Sequence, residues 1–219
     1  MMGRSLHSAN NAIQLLNQGN SKKKLQAYSL IKGDDGLQRC AWCKGDPLYM
    51  SYHDNEWGIP AFEDRVNFEF LILESAQAGL SWLTVLRKRE AYREAYANFD
   101  VDEIASWGMC EIEKLMNNSG IIRNRKKIEA SISNARAFRE ITARHGSFAK
   151  WILEFFDGET LVNNWKTIHE IPSTTPRALA IAKELKAAGF RFIGPRVVYA
   201  HLQATGIVND HLVGCWRHH

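Results

Sequence analysis

No stretch of this 219-residue chain approaches the ~18 consecutive apolar residues that a membrane span needs. The best candidate, around Phe68 to Leu73, is interrupted by Glu69 and Glu74. The N-terminus carries one arginine and only a short apolar patch, Ala12 to Leu16, with none of the apolar core of a secretion signal. Cytoplasm is therefore the expected compartment. Cysteine is sparse, with only Cys40, Cys43, Cys110 and Cys215, so a disulfide framework is not expected and thiols or metal ligands are. A general basic bias is also missing. The net charge of +4 lies within residues 1–39, which hold six Lys/Arg against two acids, while residues 40–219 carry 22 of each sign. A nucleic-acid reading must rest on where individual charges lie. Alternating β-branched residues over useful lengths are absent, and so are solenoid repeats.

What is present reads as helix. Apolar stripes and punctuation place helices over Arg65–Ala78, Thr84–Asn98, Asp102–Trp107, Glu111–Asn118, Arg123–His145, Ser147–Phe156, Thr175–Ala188 and Pro195–Thr205. The expected class is all-α, a compact helical bundle. Residues 1–39, rich in Gln, Asn and Ser with a Lys22-Lys23-Lys24 run, read as a disordered extension of a domain over 40–219.

Three constellations carry chemistry. The first joins two helices through Gly189-Phe-Arg-Phe-Ile-Gly194. Gly189 suits a left-handed helix end, and Gly194 opens the next helix beside Pro195 with free backbone N–H groups. Flanked by Arg191 and Arg196, that N-terminus is a phosphate seat and the whole resembles a helix-hairpin-helix motif, which grips a DNA backbone. Any two antiparallel helices can share such a turn.

The second is a set of metal-ligand types. Cys40 and His53 stand near one end, and His211-x3-Cys215 near the other at zinc-ligand spacing. Two Cys and two His suit a closed structural site that clips the ends together. Cys40-x2-Cys43 with His211 and Cys215 is an alternative set, and buried free thiols beside a satisfied histidine are a third possibility. The third constellation is aromatic. Trp42, Tyr49, Tyr52 and Trp57 cluster in sequence, Trp82 follows, and Glu74 falls on the buried stripe of its helix. A carboxylate among rings is costly unless it meets donors, which a purine supplies while stacking on the rings. The plainer alternatives are core packing for the rings and a salt bridge from Glu74 to Arg123 or Arg125.

Taken in order, Asp46-Pro-Leu-Tyr49, Tyr52-His-Asp-Asn-Glu-Trp-Gly58, Glu74, Gln77-Ala-Gly-Leu-Ser-Trp82, Gly120-Ile-Ile-Arg-Asn-Arg125, Gly189 to Gly194, and Gly206-Ile-Val-Asn-Asp-His211 with Cys215 resemble the type I 3-methyladenine DNA glycosylases of bacteria, a branch of the helix-hairpin-helix glycosylases. That resemblance spans residues 39–216. It implies one structural zinc on Cys40, His53, His211 and Cys215, with Cys43 a bystander. It implies that Glu74 hydrogen-bonds the Hoogsteen-side edge of an extruded base, that Tyr52 and Trp82 stack on it, and that Trp42 and Trp57 line the pocket. Gly79 and Leu80 would probe the gap left in the DNA, and the hairpin would hold the backbone. The implied activity is hydrolytic release of 3-methyladenine from alkylated double-stranded DNA, without strand cleavage, by a monomer. Asn209 falls where related glycosylases carry a catalytic aspartate, so the general base stays unassigned, with Asp210 either that base or a partner of the metal ligands. A zinc-stapled protein that binds damaged DNA without cutting it is the competing reading. A zinc hydrolase would need an open metal position.

Overall fold

The computed structural model describes residues 29–77 and 79–219. The Ala12–Leu16 patch and the Lys22–Lys24 run lie outside the described residues. Among those described are ten α-helices: α1 (Pro47–Asn55), α2 (Asp64–Gln77), α3 (Trp82–Leu86), α4 (Arg89–Ala95), α5 (Val101–Ser106), α6 (Met109–Asn117), α7 (Arg125–His145), α8 (Phe148–Leu153), α9 (Pro176–Ala187) and α10 (Pro195–Ala204). None is long and apolar enough to cross a membrane.

Several helices start where a short polar side chain satisfies their first free N–H groups. Asp46 accepts from Leu48 and Tyr49 at α1, Ser81 from Thr84 at α3, Asp100 from Glu103 at α5, and Thr175 from Ala178 at α9. Pro47, Pro176 and Pro195 occupy first-turn positions where a missing N–H costs nothing. At the centre runs α2, buried on all sides from Asn67 to Ala76. Phe68 of α2, Phe138 of α7 and Phe148 of α8 form a ring stack at its middle, with centroids 5.3 and 4.4 Å apart. α10 packs directly against α2 and α9. Glu69 of α2, fully buried, is held by Arg89 and Arg93 of α4 at 2.5 and 2.9 Å, and Arg89 lies over the Phe70 ring.

Three expectations change. Thr84–Asn98 is two helices: α3 ends at Leu86, α4 begins at Arg89, and Ala97, Asn98 and Phe99 all take positive φ. Burial of Tyr96 and Phe99, whose rings stack, fixes that turn. The expected absence of strands is corrected by two small sheets, β1 (Leu30–Lys32) antiparallel to β2 (Gln38–Cys40), and β3 (Leu161–Val162) parallel to β4 (Val208–Asn209). Strands of two or three residues are too short for alternation to appear. Finally, the hairpin of β1 and β2 places folded chain within the segment 1–39. Arg39 is buried there, and its guanidinium pairs with Asp35 and Asp54.

The chain between α1 and α2 is tied to the end of α10, with Gly58 N–H donating to Gln203 O and Ala61 N–H to Thr205 O. Gly206 makes this possible: its φ is +66°, and a Cβ there would overlap the backbone of Ile59 and Pro60. Gly206→Ala is expected to cost about 2–4 kcal/mol, lowering the melting temperature by roughly 5–15 °C; an unchanged thermal scan would contradict this contact.

Candidate active site and metal centre

A cavity of about 180 Å³ opens between α1, α2, α3 and α10. The structure brings Trp42, Tyr52, Trp57, Glu74 and Trp82 to its walls, joined by Tyr49, Gln77 and Gln203. Trp42 is placed by a helical turn directly after β2, and its ring meets Tyr49 at 4.9 Å and Trp57, edge on, at 5.1 Å. Tyr52, on the inner face of α1, is tilted against Trp82 at 5.7 Å. Trp82 in turn lies parallel to Phe70 at 6.4 Å.

Polar atoms inside this cage lack partners. Both carboxyl oxygens of Glu74 and the indole N–H of Trp82 are buried without a hydrogen bond, as is Nδ1 of His201 behind them. Buried polar atoms are rarely left so, and those of Glu74 and Trp82, on the cavity wall, mark a place for a polar ligand. Arg125, one candidate partner for Glu74, is paired instead with Glu113 at 2.7 Å. Burial therefore pushes the Glu74 carboxyl well above the ordinary value of 4.5, favouring its neutral acid form. Burial also raises the Tyr52 hydroxyl, with the charge of Glu74 acting in the same direction.

Beside the cavity, one ligand atom each of Cys40, His53, His211 and Cys215 lies within 4.8 Å of the others, all buried. The histidines are prepared for a cation. His53 Nδ1 is 2.8 Å from Asp54 Oδ1, leaving Nε2 to face Cys215 Sγ at 3.4 Å. His211 Nε2 is 2.9 Å from Trp57 O, leaving Nδ1 to face Cys215 Sγ at 3.5 Å. Outer hydrogen bonds thus aim one nitrogen of each ring inward, that of His53 also accepting from the Cys40 N–H at 3.3 Å. The proximity of the two sulfurs raises the Cys40 thiol and lowers that of Cys215. Cys43 Sγ turns away to the carbonyl of Cys40 at 3.1 Å. The donor set, two thiols and two imidazoles, fits a metal. Cluster and cavity share a wall, because Trp57 supplies the carbonyl held by His211, and the Trp42 ring lies 5.1 Å from that of His53.

The hairpin is as expected at its glycines: φ of Gly189 is +100° and Gly194 caps α10. Phe190 and Ile193 are buried, while Phe192 is 45% exposed. Asn134 of α7 pins the turn, giving its amide to Arg191 O and accepting from Arg191 N–H. Gly194, Arg191 and Arg196 are exposed, as are Gly79 and Leu80 where the chain leaves α2. Asp210 does not touch the ligands. It accepts from Asn163, Trp165, Tyr199 and Gln203, while Asp54 is the carboxylate behind the metal cluster. Asn209 is tied to the C-terminal carbonyls of Arg217 and His219. Asp54, Asn134, His201 and Gln203 escaped sequence reading. Only Asp54 had a local signal, its place next to His53.

A cage that grips a flat ring and offers it unpaired donors and acceptors is what a helical DNA glycosylase needs for an extruded base. The chain belongs to the methyladenine glycosylase family, whose family model matches residues 42–218. It is 44% identical over 179 residues to DNA-3-methyladenine glycosylase 1 of Escherichia coli K12, covering 82% of this chain and 96% of that protein. Among solved structures it is similar to a 3-methyladenine DNA glycosylase I at 47% identity and a TM-score of 0.80, covering 83% of this chain and all of the other. A variant of 3-methyladenine DNA glycosylase I solved in complex with 3-methyladenine is 35% identical, with a TM-score of 0.80 over 83% of this chain and 97% of that one.

Proposed function

We propose that this chain is a monofunctional glycosylase that extrudes 3-methyladenine from alkylated double-stranded DNA and releases it by hydrolysis. The observation that carries the reading is Glu74, buried in an aromatic cage with both oxygens unpaired, in a chain whose relatives bear that name. Methylation at N3 makes the purine cationic, so the glycosidic electron pair leaves with the base readily. Water then supplies hydroxyl to C1′ and loses its other proton to solvent. The enzyme must mainly extrude and hold the base, at a cost of a few kcal/mol, and favour charge developing on the sugar. Tyr52 and Trp82 stack on the base, Trp42 and Trp57 close the pocket, and Glu74 meets its Hoogsteen-side edge. Among the described residues no lysine lines the cavity to form an imine with the sugar, in keeping with release without strand cleavage.

The exposed Gly79 and Leu80 enter the gap left by the extruded nucleotide. The N–H groups at Gly194, with Arg191 and Arg196, hold backbone phosphates. A structural zinc on Cys40, His53, His211 and Cys215 clips the ends of the domain, which acts as a monomer. Binding of the free base tests the pocket. Free 3-methyladenine is expected to quench tryptophan fluorescence, adenine to do so far less, and Trp82→Ala to weaken the response by about tenfold, the order of one lost stacking partner. Equal quenching by both bases, or none by either, would contradict the pocket.

A further inference from the structure

Behind Glu74 stands a histidine with a fixed hydrogen. Glu74 of α2 is 4% exposed and His201 of α10 1%, and Glu74 Oε2 lies 3.6 Å from His201 Nδ1. Asn67, two turns before Glu74 on α2, decides which way the ring is protonated. Its amide nitrogen donates to the Ala61 and Glu63 carbonyls at 2.9 and 3.0 Å. Its Oδ1, 3.1 Å from His201 Nε2, can then only accept. Nε2 therefore carries the hydrogen, and the neutral ring turns a bare Nδ1 lone pair toward Glu74. Burial lowers His201 to about 3 and raises Glu74, which puts the one proton between them on the carboxyl. Neighbouring elements add little charge here. Tyr52 comes from α1, Lys127 of α7 is bound to the Ala76 carbonyl, Arg89 and Arg93 of α4 are engaged by Glu69, and α8 brings the Phe148 ring.

We propose that His201 is a positioning residue: its Nδ1 lone pair, fixed by Asn67, draws the carboxyl hydrogen of Glu74 to Oε2 and leaves Oε1 an oriented acceptor for an N–H of the bound base. This rests on the reading of the cavity as a base pocket. Two measurements test it. In protein labelled with ring-¹⁵N histidine, the His201 signals, identified by their loss in His201→Leu, show hydrogen on Nε2 and none on Nδ1 from about pH 8 to about pH 5. A ring that takes up a proton near 6.5, or carries its hydrogen on Nδ1, overturns the proposal. His201→Gln keeps an N–H for Asn67 and an oxygen for Glu74, so it retains most of the affinity for free 3-methyladenine. His201→Leu, which removes the ring nitrogen facing Oε2, loses about tenfold. Equal losses in the two variants overturn the proposal. If wild-type protein binds no 3-methyladenine, the pocket reading fails, and the NMR result still decides the state of the pair.

Discussion

Replacing Glu74 with alanine lowers base release by about 100-fold or more while leaving the protein folded and more heat-stable than wild type at about pH 8. The activity loss follows from removing the one acidic group in the cage, the order of effect seen when a preorganised polar group is deleted from an active site. The gain in stability follows from what that group costs the empty protein. Its oxygens are buried with no hydrogen bond within reach, the His201 contact being 3.6 Å, alanine favours the helix, and the space vacated opens into an existing cavity. The pH dependence has a definite sign. Folding raises the Glu74 carboxyl above its ordinary 4.5, so between those two values the folded state holds a proton that the unfolded chain gives up. Wild-type stability therefore falls as pH rises above 4.5, and the variant escapes that fall. The difference in melting temperature should narrow toward about pH 5. Wild-type release rates in the variant would remove Glu74 from the site. A gap that widens on acidification would contradict its buried, neutral state.

Cys215→Ser is expected to lose the bound metal and a large share of the stability together. A cation held at about 1,000 times its dissociation constant contributes about 4 kcal/mol, or roughly 8–16 °C in a chain of this size. The loss should reach the cavity as well, because the ligands hold its wall. His211 fixes the carbonyl of Trp57, and Trp42 packs on His53. Weakened binding of 3-methyladenine should therefore accompany the lower melting temperature, even though no ligand side chain lines the cavity. Metal analysis and thermal scans of the variant check this. Full metal content with an unchanged melting temperature would refute the four-residue set.

The helical class and most helix boundaries were legible because apolar residues repeat along α2, α7, α9 and α10 and because Gly and Pro mark their ends. α1 was not, since only Tyr52 and His53 on it are buried and two residues make no stripe. Its signal was local instead, in Asp46-Pro47, a capping side chain followed by a first-turn proline. Spacing left Cys43 and His53 as rivals for one ligand position. Geometry separates them, turning Cys43 Sγ to a carbonyl and His53 Nε2 to the cluster. The polar partners behind the site were the least legible. Asn67 and His201 are 134 positions apart, and Asp210 gathers donors from residues 163 to 203. Such bonds depend on how helices cross, which no periodicity records.

The most direct test of the account is chromatographic resolution of the free bases released from N-methylated duplex DNA by the wild-type protein. The account predicts 3-methyladenine in the soluble fraction, no release of unmodified adenine, unbroken strands and no peak with Glu74→Ala. A folded, metal-loaded protein that binds the same DNA and releases no base would contradict it, and would make this chain a damage-binding protein instead of an enzyme.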